Sequence, residues 1–130
     1  MSDTTNHFQS IVAAMLLQHQ SVLDILSKGQ ETSSKVNRAV VKAVTTCGCI
    51  SIHASKITIP ENATLYDLKQ LLNNHIQGSL CENCRDVIEA ELGKELFYLT
   101  ALINTLGLSL SDILEKETAK LNTLGIYNLV

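Results

Sequence analysis

Apolar side chains recur every three to four positions along most of this chain, which is the spacing of amphipathic helices. Near the N-terminus the pattern predicts a first helix from Ser2 or Asp3 to about Lys28, with Gly29 as its stop. The apolar positions that carry this prediction are Phe8, Ile11, Met15, Leu16, Leu23 and Leu26.

A second helix is predicted after the segment GQETSS. Its apolar stripe consists of Val36, Val40, Ala43, Val44, Cys47, Ile50 and Ala54. The end of this stretch also permits a strand from Cys49, because the segment CISIHA alternates apolar and polar residues.

The second half of the chain predicts a linker and three further helices. The linker is KITIPEN, where Pro60 disfavours helix at the residue before it. A short helix in ATLYDLKQLL has Thr64 and Asp67 at capping spacing and is expected to end at Gly78. The long helix lies in LCENCRDVIEAELGKELFYLTALINTLG, and the last runs from a cap at Ser109 to about Asn122. The expected fold is all-α, a four-helix-type bundle with one extra short helix, forming a single domain over residues 1–130.

The long helix is apolar on two sides. At 100° per residue its broad apolar face contains Ile88, Leu92, Leu96, Leu99, Leu102, Ile103 and Leu106. A second strip on the opposite side contains Phe97, Ala90 and Ala101. A helix with two apolar sides usually has two packing partners. The second strip, together with the apolar C-terminal segment LGIYNLV, therefore predicts a homodimer.

Glu95 lies within the broad apolar face, and Glu91 lies at its edge. A carboxylate on a core face costs several kcal/mol unless it is paired with a charge or ligates a cation. Glu95 is thus either a site residue or the partner of a base on the second helix, which contains no acid between Ser33 and Lys56. For Glu91 the alternative is an ion pair with Lys94 at the solvated edge.

Four cysteines occur as two short pairs, CGC with Cys47 and Cys49, and CENC with Cys81 and Cys84. Four thiolates suit a tetrahedral Zn²⁺ ion, and thiolates also bind iron–sulfur clusters. Joint ligation by the first pair requires a break at Gly48, because residues two apart on a helix face nearly opposite sides. The alternatives are reduced thiols and redox-active or disulfide pairs. His53 and His75 are spare ligand candidates.

Composition and the N-terminal segment limit the expected binding partners and cellular location. The 130 residues are 45% hydrophobic with a net charge of -3, which argues against binding of nucleic acid. No apolar run is long enough for a transmembrane helix, and the N-terminal segment MSDTTNHFQS lacks the basic start of a signal peptide. We therefore expect a cytoplasmic protein without membrane contact, in which thiols or metal ligands are favoured over disulfides.

The segment EAELGKELFYLTALINTLGLSLSDILEKETAKL resembles the second half of a MazG-like nucleotide pyrophosphohydrolase. The resemblance implies an all-α fold that forms dimers or tetramers and cleaves nucleoside triphosphates to monophosphate and pyrophosphate. Glu91 matches the Glu of the family motif, and Glu91 and Glu95 together are expected to be the remnant or altered acids of a MazG-like pocket, which makes them the candidate catalytic residues. Lys120 matches a lysine that contacts nucleotide phosphate, although a surface lysine is the alternative.

The chain departs from the family pattern at the metal ligands. Lys94 occupies the position of the motif's Asp, and the second helix lacks the family's Glu-x-x-Glu pair. The resemblance thus implies a degenerate relative that has lost the ordinary metal site, and the cysteine pairs predict a metal site of another kind. The alternatives are an active pyrophosphohydrolase with altered metal ligands, for which Mg²⁺ is expected, and a non-enzymatic dimeric binding or regulatory module.

Overall fold

The computed structural model describes residues 2–16 and 21–125. The described chain has five α-helices, α1 (Ser2–Met15), α2 (Val22–Lys42), α3 (Leu65–Leu71), α4 (Glu82–Thr105) and α5 (Leu110–Leu124). A π-helical turn, Ala43–Cys47, follows α2. Strands β1 (Ile50–Ile52) and β2 (Ile76–Gly78) pair antiparallel, with Ile50 opposite Gly78. The prediction of a mostly helical protein is confirmed, and the small sheet is an addition to it.

The predicted first helix is wrong in its extent. α1 ends at Met15, Ser21 is not helical, and α2 continues through Gly29 instead of stopping there. The Ser21 carbonyl accepts the N–H of Ile25 at 3.1 Å, which is the first hydrogen bond of the new helix. Residues 17–20 of the predicted helix lie outside the described residues. A glycine inside a helix costs only about 1 kcal/mol, which packing easily offsets.

The predicted second helix is also too long, and the alternative strand is correct. Regular α-helix ends at Lys42, the π-helical turn ends at Cys47, and Gly48 adopts a left-handed conformation with φ +78°. Its N–H donates to the Ala43 carbonyl at 2.9 Å. This conformation is accessible to glycine at little cost and reverses the chain into β1.

The short helix begins as predicted but ends early. Thr64 and Asp67 form a reciprocal capping box at the start of α3. The helix ends at Leu71 and not at Gly78, because Asn73 and Asn74 bond the backbone two residues further on. Their side-chain oxygens accept the N–H groups of His75 at 2.8 Å and Ile76 at 3.0 Å. These local turns start β2.

The last two helices match their predictions closely. α4 covers the long predicted pattern, and Ser109 caps α5 by accepting the N–H of Asp112 at 3.2 Å. Gln9 of α1 supports the connection between them. Its side chain donates to Asn104 Oδ1 at 2.8 Å and accepts the N–H of Leu110 at 3.0 Å. Residues 126–130, most of the predicted apolar tail, lie outside the described residues.

The chain divides into two compact units. The first comprises Met1–Lys35 and Glu91–Val130, as far as these are described, and the second comprises Val36–Ala90. The core of the second unit contains the buried residues Ala43, Ile50 and Ile88. Half-buried Ala39, Val44, Cys49, Leu80 and Cys84 pack against it.

The prediction of the apolar face of α4 is correct in part: Ile88 and Ile103 are buried as expected, but the core of the first unit also takes residues from the second strip. It contains the buried residues Val12, Leu16, Ile25 and Ala101, with Phe8, Phe97 and Leu102 packed against them. Of the strip that was predicted to mediate dimerisation, Ala101 is buried and Phe97 is half-buried against this core, while Ala90 is exposed; dimerisation itself stays a prediction. Leu92, Leu96 and Leu99 of the predicted core face are 43%, 56% and 51% exposed.

Candidate metal centre

The first cysteine pair lies on the reversal that joins α2 to β1. Cys47 is the last residue of the π-helical turn, and Cys49 directly precedes β1. The left-handed Gly48 between them breaks the helical direction, so that both side chains can reach the same place. The break that the sequence required for joint ligation is therefore present.

The second pair lies at the start of α4. Cys81 occupies the position before the helix, where its carbonyl accepts the N–H of Arg85 at 2.9 Å. Its Sγ atom accepts the N–H of Cys84 at 3.4 Å, in the manner of an N-cap. The antiparallel pairing of β1 with β2 brings this helix start next to the Gly48 reversal.

The four sulfur atoms form one cluster. The Sγ atoms of Cys47, Cys49, Cys81 and Cys84 all lie within 4.8 Å of one another, and those of Cys47 and Cys81 are 3.8 Å apart. Four thiolates at about 2.3 Å from one Zn²⁺ ion stand about 3.8 Å from each other. The cluster therefore has the ligand number and nearly the size of a tetrahedral site and could hold a metal ion. All four cysteines are free of disulfides.

The thiols in the cluster influence each other's ionisation. The N–H of Cys84 and the thiol of Cys84 lower the pKa of Cys81 to about 7. The neighbouring Cys81 side chain raises the pKa of Cys84 to about 12. The second thiolate is disfavoured next to the first, so full ionisation of the cluster needs a cation in its centre.

A close backbone contact supports the centre. A Cβ atom on Gly78 of β2 would lie 2.5 Å from the carbonyl oxygen of Cys49. Gly78 also has φ +88°, which few side chains tolerate. Sequence reasoning assigned this glycine to a helix end and missed its role. Lys42 lines a cavity of about 290 Å³ together with Cys47 and Cys84.

The other predicted site residues lie apart from any comparable cluster. Lys94 Nζ donates a hydrogen bond to Glu91 Oε1 at 3.5 Å, which is the ion pair expected as the alternative. The other carboxylate oxygen, Glu91 Oε2, is buried without a hydrogen-bond partner. Within residues 2–16 and 21–125, the four cysteines are the one group of three or more potential metal ligands. It includes neither Glu91 nor Glu95, nor the spare candidates His53 and His75.

Lys120, the predicted nucleotide-binding residue, lies on α5. Its Nζ atom is 3.4 Å from Glu117 Oε1, and its side chain is 62% exposed. Lys120 is thus exposed and paired within its own helix, and nucleotide binding at this residue stays a prediction.

Comparisons with protein-family models, with curated proteins and with solved structures gave no match for this chain. In the described part of the chain no single helix is long and apolar enough to span a membrane. Only α4 and α5 taken together meet those criteria, and the chain bends by 105° between them.

Proposed function

We propose that this protein is a zinc-dependent helical module in which Cys47, Cys49, Cys81 and Cys84 hold one Zn²⁺ ion. The observation that carries the proposal is the clustering of all four sulfur atoms within 4.8 Å. The two cysteine pairs come from segments far apart in the sequence, so their meeting is a property of the fold. The Gly48 reversal and the close contact at Gly78 both position the cysteines. A chance approach of surface thiols would require neither.

The size and chemistry of the cluster favour zinc over the other metals considered. Thiolates are soft ligands, whereas Mg²⁺ takes oxygen ligands. In an iron–sulfur cluster each iron binds its own cysteines, so the protein sulfur atoms spread farther apart than around a single ion. The separation of 3.8 Å between Cys47 and Cys81 fits two ligands of one ion.

The role of such a centre is structural. Four protein ligands leave no open position for water or substrate, which distinguishes structural from catalytic zinc. The centre would join the Gly48 reversal to the start of α4, across a unit whose described buried apolar core is only Ala43, Ile50 and Ile88. Because the unfolded chain has no preformed site, metal binding contributes directly to folding.

The test is metal analysis of protein purified without chelator. We expect about one zinc per chain, and cobalt substitution should give the strong sulfur-to-cobalt charge-transfer absorption of a four-thiolate site. Cys84→Ser should remove most of the bound metal. His53→Ala, which alters a nearby potential ligand outside the cluster, should retain it. Zinc content that is negligible in the wild type, or unchanged in Cys84→Ser, would refute the proposal.

A second candidate concerns the resemblance to MazG-like pyrophosphohydrolases. We propose a degenerate relative that does not turn over nucleoside triphosphates efficiently. The supporting observation is that Lys94 engages Glu91, while the described residues bring no further acid or histidine into a metal-binding group with Glu91 and Glu95. Phosphate chemistry on Mg²⁺ needs several oxygen ligands.

This second candidate is tested by pyrophosphate release from a panel of standard and modified triphosphates with Mg²⁺ or Mn²⁺. We expect release no faster than without protein. Rapid turnover that Glu91→Gln abolishes and Glu115→Gln leaves intact would instead identify an active enzyme with altered ligands.

A further inference from the structure

An open apolar groove runs between α2 and α4 in the first unit. It is lined by α2 residues between Ile25 and Ser33 and by α4 residues between Leu92 and Leu102, and it encloses about 560 Å³. Ten helical steps on α4 correspond to a length of about 15 Å. Gly29 has no atom within 4 Å of its Cβ position, which leaves the floor of the groove free.

Four leucines of the groove do not belong to the unit's own core, whereas Leu102 packs against it. Leu26, Leu92, Leu96 and Leu99 are 48%, 43%, 56% and 51% exposed, while the core lies around Val12 and Ala101. Leu23, one turn before the groove on α2, is also exposed, at 73%. An exposed apolar face of this extent marks an interaction surface.

Glu95 determines which chemical group a partner bound in the groove has to supply. It is half-buried and, among the described residues, is the one acidic or basic residue of the groove lining. Within the described residues it makes no hydrogen bond and no ion pair, in contrast to Glu31, Glu91 and Glu117. Once the groove is covered, an unpaired carboxylate becomes costly, so the covering partner has to supply a cation.

We propose that this groove binds an amphipathic helix of another protein, with a Lys or Arg in the middle of its apolar face. Helices dock in such grooves through apolar residues at spacings of three, four and seven, and the leucines of α4 are arranged to receive them. A second copy of this chain fits less well. It would bring a second Glu95 into the interface, and the groove lining contains no basic residue to neutralise either carboxylate.

A small apolar amine would satisfy Glu95 but would leave most of the apolar face exposed. The face of α4 from Leu92 to Leu102 extends over about 15 Å, which suits about three turns of helix. The inference is independent of the zinc proposal, since every residue that lines the groove belongs to the first unit.

The experiment uses three fluorescent helical peptides of equal length. The first has leucines at helical spacing with one central lysine on the apolar face. The second has glutamate at that position, and the third has leucine there with the lysine moved to the polar face, so that its net charge equals that of the first. We expect micromolar binding of the first peptide by the full chain, and binding at least tenfold weaker for the other two.

Charge reversal then tests Glu95 itself. Glu95→Lys should invert the preference, so that the glutamate peptide binds at least tenfold more tightly than the lysine peptide. Glu115→Lys makes the same charge change on α5 outside the groove and should leave the preference as in the wild type. Circular dichroism and zinc content should be equal among the variants, which separates loss of binding from loss of folding.

Two results would overturn the proposal. If the first and third peptides bind equally well, Glu95 does not select a cation. If no peptide binds and the chain is instead a dimer that Leu96→Asp dissociates, the groove is occupied by a second copy.

Discussion

At the scale of single residues, Gly78 is as important to the proposed metal centre as a ligand. A Cβ atom at this position would lie 2.5 Å from the Cys49 carbonyl oxygen, so a side chain has to displace the backbone that carries one ligand. Its φ of +88° adds a conformational cost of roughly 1–2 kcal/mol for any other residue. Gly78 has no side chain, so its contribution to the proposed centre is entirely steric.

We therefore expect Gly78→Ala to lower zinc affinity by tenfold or more and to destabilise the fold. Competition with a chromophoric chelator measures the affinity, and urea unfolding measures the stability. Gly93→Ala is the matched control, because Gly93 is inside α4 with no atom within 4 Å of its Cβ position. There the alanine should raise stability by about 0.5–1 kcal/mol and leave zinc affinity unchanged. Equal zinc affinities in the two variants would contradict the steric role of Gly78.

At the scale of elements, the sequence predicted those features that depend on neighbouring residues. The capping box of Thr64 and Asp67 and the cap at Ser109 are both present, because these bonds form within one helical turn. The break at Gly48 was also predicted, because it follows from the two neighbouring residues, Cys47 and Cys49. The helix end at Leu71 was missed, since it depends on the side chains of Asn73 and Asn74, which bond the backbone two residues further on. The helix end at Met15 was missed because the apolar pattern continues past it into Leu16.

The side of α4 that faces the core could not be predicted from periodicity. This helix is apolar on both sides, and the placement of α1 decides which side is covered. Leu92, Leu96 and Leu99 of the broad face are therefore exposed, although Ile103 of the same face is buried, while Ala101 of the smaller strip is in the core. The choice depends on tertiary contacts such as Gln9 with Asn104, which are 95 residues apart.

The ligands of the candidate metal centre could be predicted from the sequence, but the backbone contacts that position them could not. The four cysteines and their spacings indicated a tetrahedral site, and their clustering agrees with it. The part played by β2 was not visible, because Gly78 meets Cys49 only through the pairing of two strands that are distant in the sequence. Glu95 was correctly identified as unusual, but its setting is an open groove and not a buried core.

At the scale of the whole molecule, the two units are expected to depend on metal to different degrees. The first unit has its own described apolar core at Val12, Leu16, Ile25 and Ala101. The second unit contains the cysteine cluster, the small sheet and a described buried core of three apolar residues. A small core of this kind is commonly supplemented by a metal ion or a disulfide.

Chelation at neutral pH should therefore loosen the second unit selectively. The N–H of His53, which donates to the His75 carbonyl at 2.8 Å next to the paired strands, is a suitable reporter in hydrogen-exchange measurements. We expect its protection to fall by about a hundredfold or more, since a structural zinc ion contributes several kcal/mol to folding. The amide of Ala101 should keep its protection, because its surroundings contain no metal ligand.

Cys84→Ser should reproduce this pattern without chelator, and added zinc should restore protection in the wild type alone. Equal loss at His53 and Ala101 would show that the units unfold together, and unchanged protection at His53 would show that the sheet does not depend on the metal.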